Sequence, residues 1–155
     1  MKFSSKEDVE APIDFVFAQV SDFASLERSA LRRGAEVQRV DDLTSAGAGM
    51  AWDAAFEFRG KRRQTRLELV EDDAPNAMNF LSTSQALTAE VAVELVALSR
   101  KRTRLQMTID LKPQNLSARL LVQSLKLARG SIKRKFDKRM AGFARDIEQR
   151  HARSA

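Results

Sequence analysis

The sequence predicts an α+β fold in which a curved antiparallel sheet of about seven strands surrounds a long C-terminal helix. Three observations support this prediction. One strand-like segment precedes two short helical segments, about six further segments alternate polar and apolar residues, and apolar residues with helical spacing continue to the C-terminal region. A sheet that curves around the last helix would bury the apolar faces of all these elements.

The first strand and the first helix meet within "VEAPIDFVFAQVSDF". Phe3 and Val9 fall on the same side of a two-residue alternation, which is typical of a half-buried strand. Pro12 ends this strand and suits the first turn of a helix, where a missing amide donor costs nothing. Apolar residues from Ile13 to Val20 then recur at spacings of three and four, which predicts a short amphipathic helix.

A second short helix is predicted for "FASLERSALRR". Ser21 or Asp22 can cap its amino-terminal end, and Gly34 offers a C-terminal stop. Two short helices therefore follow strand 1.

The region from Gly34 to Pro113 has the two-residue period of antiparallel strands. Gly60 and the segment "DDAPNA" mark turns between strands. The predicted strands are "AEVQRVDDL", "GAGMAWDAAFEFRG", "KRRQTRLELVEDD", residues 78–84, residues 89–95 and "TRLQMTIDL".

One long helix is predicted from near Leu116 to near Arg150. This region contains no proline, and its apolar residues keep helical spacing throughout. We expect a bend near Gly130, because glycine is about 1 kcal/mol less favourable than alanine within a helix.

Composition restricts the class of protein. A chain of 155 residues suits one domain, spanning 1–155. The absence of cysteine rules out disulfides and thiolate metal sites, and the single histidine, His151, has no evident partner, so we expect no metal and no cofactor. The sequence shows neither a signal-peptide core nor an apolar run approaching the roughly 20 residues of a membrane span, which leads us to expect a cytoplasmic protein.

Several segments resemble the START-like superfamily, also called SRPBCC or birch-pollen-allergen-like. They are "VEAPIDFVFAQVSD", the pair "GAGMAW" and "FEFRG", and Thr103-Arg104 before the last strand. The likeness covers nearly the whole chain and is greatest to the bacterial polyketide cyclase/dehydrase and lipid transport branch. It implies a helix-grip fold with a cavity between sheet and helix, used in the family for lipids, polyketides, sterols and hydrophobic hormones.

Strand parity predicts which residues face that cavity. A few polar groups among apolar ones are typical of a binding pocket, although an ordinary core would need the same apolar alternation. The predicted ligand-binding residues are Trp52, Phe56, Thr65, Phe80, Ser82, Val91, Val93 and Met107 on the strands, with Ile132 and Phe136 opposite them on the helix.

Arg63 is a further predicted ligand-binding residue. It has the same parity as Thr65 and Leu67, so its guanidinium could bind a ligand carboxylate in bidentate fashion. The alternative is that Arg63 lies near solvent, because it stands at the start of its strand in the hairpin "RGKRRQT".

The sequence indicates no catalytic residues. It has no tyrosine and one histidine, while Asp53 and Glu57 are predicted to point outward and Glu27 and Asp110 have no evident partner. General acid–base chemistry usually needs such groups within reach of a substrate. We therefore lean against an enzyme.

The C-terminal helix is predicted to carry a basic outer face. Lys133, Arg134, Lys138 and Arg139 belong to it, and the formal net charge of the chain is +6. Such a face could contact an acidic protein or an anionic membrane surface, or it could simply be solvated. Aromatic side chains for base stacking do not interleave with these charges, which argues against nucleic acid as a partner.

Three functions follow as hypotheses. The preferred one is binding or carriage of a small hydrophobic molecule of the lipid, polyketide or quinone class in the internal cavity. The first alternative is an enzyme of the cyclase/dehydrase type, in which exclusion of water would contribute to the chemistry. The second alternative is an interaction module that uses the basic helix.

Overall fold

The computed structural model describes residues 1–154. The elements, in chain order, are β1 (Lys2–Val9), α1 (Ile13–Val20), α2 (Phe23–Arg32), β2 (Glu36–Arg39), β3 (Ala51–Phe58), β4 (Lys61–Asp73), β5 (Ala77–Thr83), β6 (Leu87–Ser99), β7 (Arg102–Pro113), α3 (Leu116–Leu127) and α4 (Arg129–Ser154). No helix within the described range is both long enough and apolar enough to cross a membrane.

The seven strands form one antiparallel sheet in the order β1-β7-β6-β5-β4-β3-β2. Strands β2 to β7 follow one another as a meander, and β1 pairs with β7 at one edge. The amino terminus is held there, because its ammonium group donates to the carbonyl oxygen of Leu111 at 3.0 Å. The sheet and the two short helices after β1 confirm the predicted α+β helix-grip fold class.

The Ala11-Pro12 junction is fixed by a buried hydrogen bond. The hydroxyl of Thr103, which has no exposed surface, donates to the carbonyl oxygen of Ala11 at 2.8 Å. Pro12 then takes the N-cap position of α1, and Val9 and Val16 on either side of it are fully buried. This bond joins two of the segments that resemble the START-like superfamily, "VEAPIDFVFAQVSD" and Thr103-Arg104.

The second helix begins and ends where the sequence suggests. The Asp22 carboxylate accepts from the amide of Ser25 at 3.3 Å and so caps α2. After Arg32, the last residue of α2, the chain turns at Gly34, whose φ of +92° is favourable only for glycine among the common residues.

The predicted single C-terminal helix is wrong in one respect, because the helix is interrupted and forms α3 and α4. The interruption lies at Ala128, whose φ of −102° and ψ of 16° depart from helical values. Gly130 lies in the first turn of α4, where amide groups lack intrahelical partners in any case. The glycine therefore starts the second helix and does not bend a continuous one.

The core lies between the inner face of the sheet and α4, near the end of β1 that leads into α1. Its fully or almost fully buried side chains come from separate elements: Val9, Val16, Leu69, Met78, Leu105 and Ile147. The outer face carries charged pairs, such as Arg66 with Asp53 and Lys112 with Glu90. The strand alternation thus separates an apolar inner face from a charged outer face, as the sequence predicts.

Candidate binding pocket

An apolar pocket of about 310 Å³ lies between the inner face of the sheet and helices α2 and α4. Its walls come from β2 to β7, and Met140 and Phe143 of α4 lie in the wall opposite them. Five of the residues predicted to bind ligand are among its lining: Trp52, Phe80, Val91, Val93 and Met107. The lining is almost wholly apolar, which suits a ligand without many polar groups.

Trp52 forms one wall of this pocket and is held on two sides. Its indole N–H donates to a carboxylate oxygen of Glu27 at 2.7 Å, which satisfies the polar atom of a residue that is only 3% exposed. The ring centroid of Phe23 lies 5.2 Å away, and Phe23 also meets Phe80 edge to face at 6.3 Å. The orientation of the indole is therefore set by α2.

Sequence reasoning missed Glu27, for which no partner was evident. Two signals could have indicated it. Phe23 and Glu27 are four residues apart on a predicted helix and so lie on the same face, and a buried indole needs a hydrogen-bond acceptor. The structure brings both together, because α2 crosses the pocket beside Trp52.

A cation also lies near Trp52. The guanidinium of Arg39 is 5.8 Å from the indole centroid and forms two hydrogen bonds with Asp41. Asp41 also accepts from the amides of Leu43 and Ala51, both at 2.9 Å. The hydrogen bond from Arg39 and these amides hold the pKa of Asp41 well below its usual range. Arg39 and Asp41 thus form a charge pair beside Trp52.

An open cleft adjoins the apolar pocket, and the two share Val37 and Ala54 as lining residues. Its lining extends from α3 and α4 across the sheet and around the β3–β4 edge onto the outer face. The remaining predicted ligand-binding residues, apart from Phe136, line this cleft: Phe56, Arg63, Thr65, Ser82 and Ile132. A molecule could therefore extend from the apolar pocket into a more polar region.

Thr65 and Ser82 form a pair of hydroxyl groups in the cleft. Their oxygens are 2.5 Å apart, and the Thr65 hydroxyl also lies 3.1 Å from the carbonyl oxygen of Thr83. Thr65 has one proton and the carbonyl can only accept, so Thr65 donates to Thr83 and Ser82 donates to Thr65. The Ser82 oxygen keeps acceptor capacity for a donor on a ligand.

Arg63 lies at the mouth of the cleft near the β3–β4 hairpin. Its Nε donates to the carbonyl oxygen of Phe58 at 3.2 Å, and its guanidinium is 5.7 Å from the Phe58 ring centroid. The guanidinium thus contacts the hairpin, although the residue has the inward parity of Thr65. A carboxylate ligand would meet Arg63 at the cleft entrance.

Phe136 packs against the core cluster and belongs to the lining of neither the pocket nor the cleft within the described residues. No cluster of three or more histidine, aspartate or glutamate side chains suited to a metal ion occurs in residues 1–154.

The basic face of α4 is partly neutralised. Lys133 donates to Asp137 at 2.6 Å, and the buried Ser5 hydroxyl of β1 donates to the same oxygen at 2.6 Å. These two bonds lower the pKa of Asp137. Arg134, Lys138 and Arg139 are exposed.

Comparison with known proteins gives structural neighbours only. No family model matches the chain, and no curated protein matches it. Among solved structures, TTHA0849 from Thermus thermophilus is 17% identical with a TM-score of 0.70, covering 95% of this chain and 97% of that one. The Zhui aromatase/cyclase from a Streptomyces species is 15% identical with a TM-score of 0.69, covering 97% and 94%.

A START superfamily protein from Mycobacterium smegmatis is also similar, with 12% identity and a TM-score of 0.58 over 88% of this chain and 97% of that one. Together with the seven-stranded sheet and the C-terminal helices, these neighbours show that the chain has the START-like helix-grip fold. At such identities the likeness concerns the fold and leaves the ligand open.

Proposed function

We propose that this protein binds a small hydrophobic molecule of the lipid, polyketide or quinone class and carries it in the apolar pocket. The observation that carries the proposal is the pocket itself, an apolar space of about 310 Å³ with Trp52 in its wall. Such a space is typical of sites that take small apolar ligands. In this proposal Trp52 and Phe80 supply apolar contact in the pocket, and Phe56 supplies it in the cleft. The chain acts as one binding domain in the cytoplasm.

The adjoining cleft favours a ligand with one polar end. The pocket and the cleft meet at Ala54 and Val37, because both residues line both spaces. The Ser82 oxygen, which accepts no bond in the arrangement above, could accept a hydrogen bond from a ligand hydroxyl or amide. The apolar part of the ligand would lie beside Trp52 and its polar end near Ser82.

Trp52 is the only tryptophan, so its fluorescence provides the test. Titration with a short-chain quinone and with a neutral long-chain alcohol should change the emission saturably. Ala54→Phe should weaken binding, because the larger ring fills the junction of pocket and cleft. Ala92→Phe is the matched control, since Ala92 faces the outer side of β6.

Wild-type emission that none of these probes changes would contradict the carrier proposal. So would equal binding by both phenylalanine variants, because binding would then lie outside the pocket. Native mass spectrometry of the protein purified from its source cell should in addition show a retained ligand mass.

An enzyme of the cyclase/dehydrase type is the second candidate, and Glu27 is the observation that favours it. Its carboxylate is the charged group that lines the apolar pocket, and a carboxylate beside a substrate can accept a proton. The structural neighbour from Streptomyces is by its printed name an aromatase/cyclase.

Glu27→Gln separates these two functions. The amide keeps an acceptor for the Trp52 indole but is a far weaker base. A carrier should keep its affinity for the quinone probe, whereas an enzyme should lose turnover of a polyketide substrate with little loss of binding. Unchanged turnover in Glu27→Gln would remove Glu27 as the base.

A further inference from the structure

Helix α3 exposes three leucine side chains on one line. Leu116, Leu120 and Leu127 are 71%, 63% and 92% exposed. Residues four and eleven positions apart lie within about 40° of each other on a helix with 3.6 residues per turn. The three leucines therefore form a continuous stripe, which we call the leucine stripe.

The leucine stripe is not needed for packing of α3 within the fold. The opposite side of the helix supplies the buried residues Ala118, Val122 and Leu125, and α3 packs with that side against β7 and the cleft. A helix on a protein surface usually presents polar residues to water. Exposed apolar side chains that form a contiguous patch indicate a contact surface.

The chain around the leucine stripe is strongly basic. Residues 112–139 contain nine lysine and arginine residues and one acidic residue, Asp137. Arg119 and Lys126 are exposed and lie on one flank of the stripe. Neither forms a salt bridge with any residue in the described range 1–154.

We propose that the leucine stripe of α3 docks on an anionic phospholipid bilayer. The leucines enter the boundary between headgroups and acyl chains, while Arg119 and Lys126 meet lipid phosphates. Apolar residues beside lysine and arginine are the features of helices that lie in a membrane interface. This contact extends beyond ligand binding and stands on observations independent of the pocket.

A second copy of the chain fits the leucine stripe less well. Two-fold pairing brings the same surface of both copies together, so Arg119 and Lys126 of each copy would lie close to those of the other. Repulsion between them opposes such a dimer, whereas an anionic bilayer neutralises the same charges.

Docking by α3 also places the cleft next to the lipid. Ser117 and Leu121, on the flank of α3 opposite Arg119, line the cleft. A bound bilayer would therefore lie beside the cleft entrance, where a hydrophobic molecule could pass from lipid to protein without crossing bulk water.

The experiment is co-sedimentation with vesicles of phosphatidylcholine and phosphatidylglycerol in equal parts, and with phosphatidylcholine alone. The wild type should bind the anionic vesicles and release them at high salt. The triple variant Leu116→Ser/Leu120→Ser/Leu127→Ser should partition about tenfold less, because interfacial binding scales with buried apolar area. The matched control is Val70→Ser/Val96→Ser/Leu98→Ser, which removes three exposed apolar side chains from β4 and β6.

Two charge-reversal variants test the contribution of the cations separately. Arg119→Glu/Lys126→Glu should abolish binding at moderate salt, and Arg100→Glu/Lys101→Glu, with the same charge change in the turn between β6 and β7, should retain it. Equal loss in both variants would indicate general cationic attraction and overturn the proposal. So would equal binding by the two serine variants, or failure of the wild type to bind anionic vesicles.

Two further measurements protect the test from misfolding and from self-association. The chain has no cysteine, so Leu120→Cys and Leu98→Cys can each carry one polarity-sensitive dye. Only the dye at position 120 should shift to the blue on anionic vesicles, and a shift at both positions or at neither would overturn the proposal. A wild-type dimer in vesicle-free solution that the leucine variant dissociates would instead assign the stripe to a second copy.

Discussion

The two ends of the space between sheet and C-terminal helices differ in packing. At the end that holds Val9, Leu69 and Ile147 no exposed surface remains on these side chains. At the other end Thr65 and Ile132 are partly exposed and line a cleft. Both ends have the same strand alternation, so alternation sets which face is apolar, and side-chain size sets whether the space is filled.

Small side chains explain the open end. Ala54 is paired with Thr65, and Ser82 is paired with Ala89, on the inner face of neighbouring strands. Side chains of this size cannot reach across to α3 and α4, whereas leucine and methionine at the closed end can. The sheet thus supports a rigid core and a binding space with one pattern of residues.

The largest expected effect compares one leucine at each end. Leu69→Ala removes a fully buried side chain and should lower the free energy of unfolding by about 2–5 kcal/mol, because it leaves a cavity. Leu111→Ala, in the partly exposed lining of the cleft, should cost clearly less. Urea denaturation of both variants measures the difference. Equal losses would mean that the two ends are packed alike.

The next effect compares two threonines. Thr103→Val leaves the buried carbonyl of Ala11 without its donor and should cost about 1–3 kcal/mol in unfolding free energy. Thr65→Val should cost less, because water in the open cleft can replace the lost hydroxyl. Thermal unfolding followed by circular dichroism compares them, and Thr103→Ser should recover part of the loss. A larger loss for Thr65→Val than for Thr103→Val would contradict the comparison.

The sequence predicted the element order and the direction of most side chains, because both follow from local periodicity. Phe56 and Thr65 line the cleft. The contact of Trp52 with Glu27 could not be predicted in the same way, since it depends on how α2 docks on the sheet. Tertiary placement of a short helix has no periodic signal.

Two other features could not be predicted from local sequence periodicity. Arg63 has inward parity, but its long side chain bends to the carbonyl of Phe58 at the strand end. The helix is interrupted at Ala128 and not at Gly130. Helix propensity gives the free-energy cost of glycine within a helix, but it does not predict the position at which one helix ends and the next begins.

A smaller effect concerns the pH dependence of stability that the Arg39–Asp41 pair beside Trp52 produces. The bond from Arg39 and two backbone amides lower the pKa of Asp41 below its ordinary value of 3.8, so the unfolded chain takes up this proton at higher pH than the folded protein. The stabilisation is present above pH 3.8 and is lost as the pH falls through the lower folded pKa. The stability difference between wild type and Asp41→Asn should therefore shrink below about pH 4.

Denaturation of both proteins between neutral and acidic pH measures that difference. The matched control is Asp42→Asn, which makes the same chemical change at the neighbouring, exposed position. A constant difference between wild type and Asp41→Asn at all pH values would show that the pair with Arg39 contributes nothing through this carboxylate.

The smallest expected effect on stability tests whether the open end is truly unfilled. Ala89→Leu adds a large side chain to the inner face beside Ser82, and it should change the free energy of unfolding by no more than about 0.5 kcal/mol, as for a surface substitution. Ala144→Leu, at a buried position of α4 in the closed end, should cost about 1–3 kcal/mol through overpacking. Ala89→Leu should nevertheless reduce quenching of Trp52 by a ligand that extends into the cleft, since the new side chain occupies the place of its polar end. A strongly destabilised Ala89→Leu would show that the cleft closes around Ala89 in solution. The two ends would then differ in the size of their side chains, but neither would contain free space.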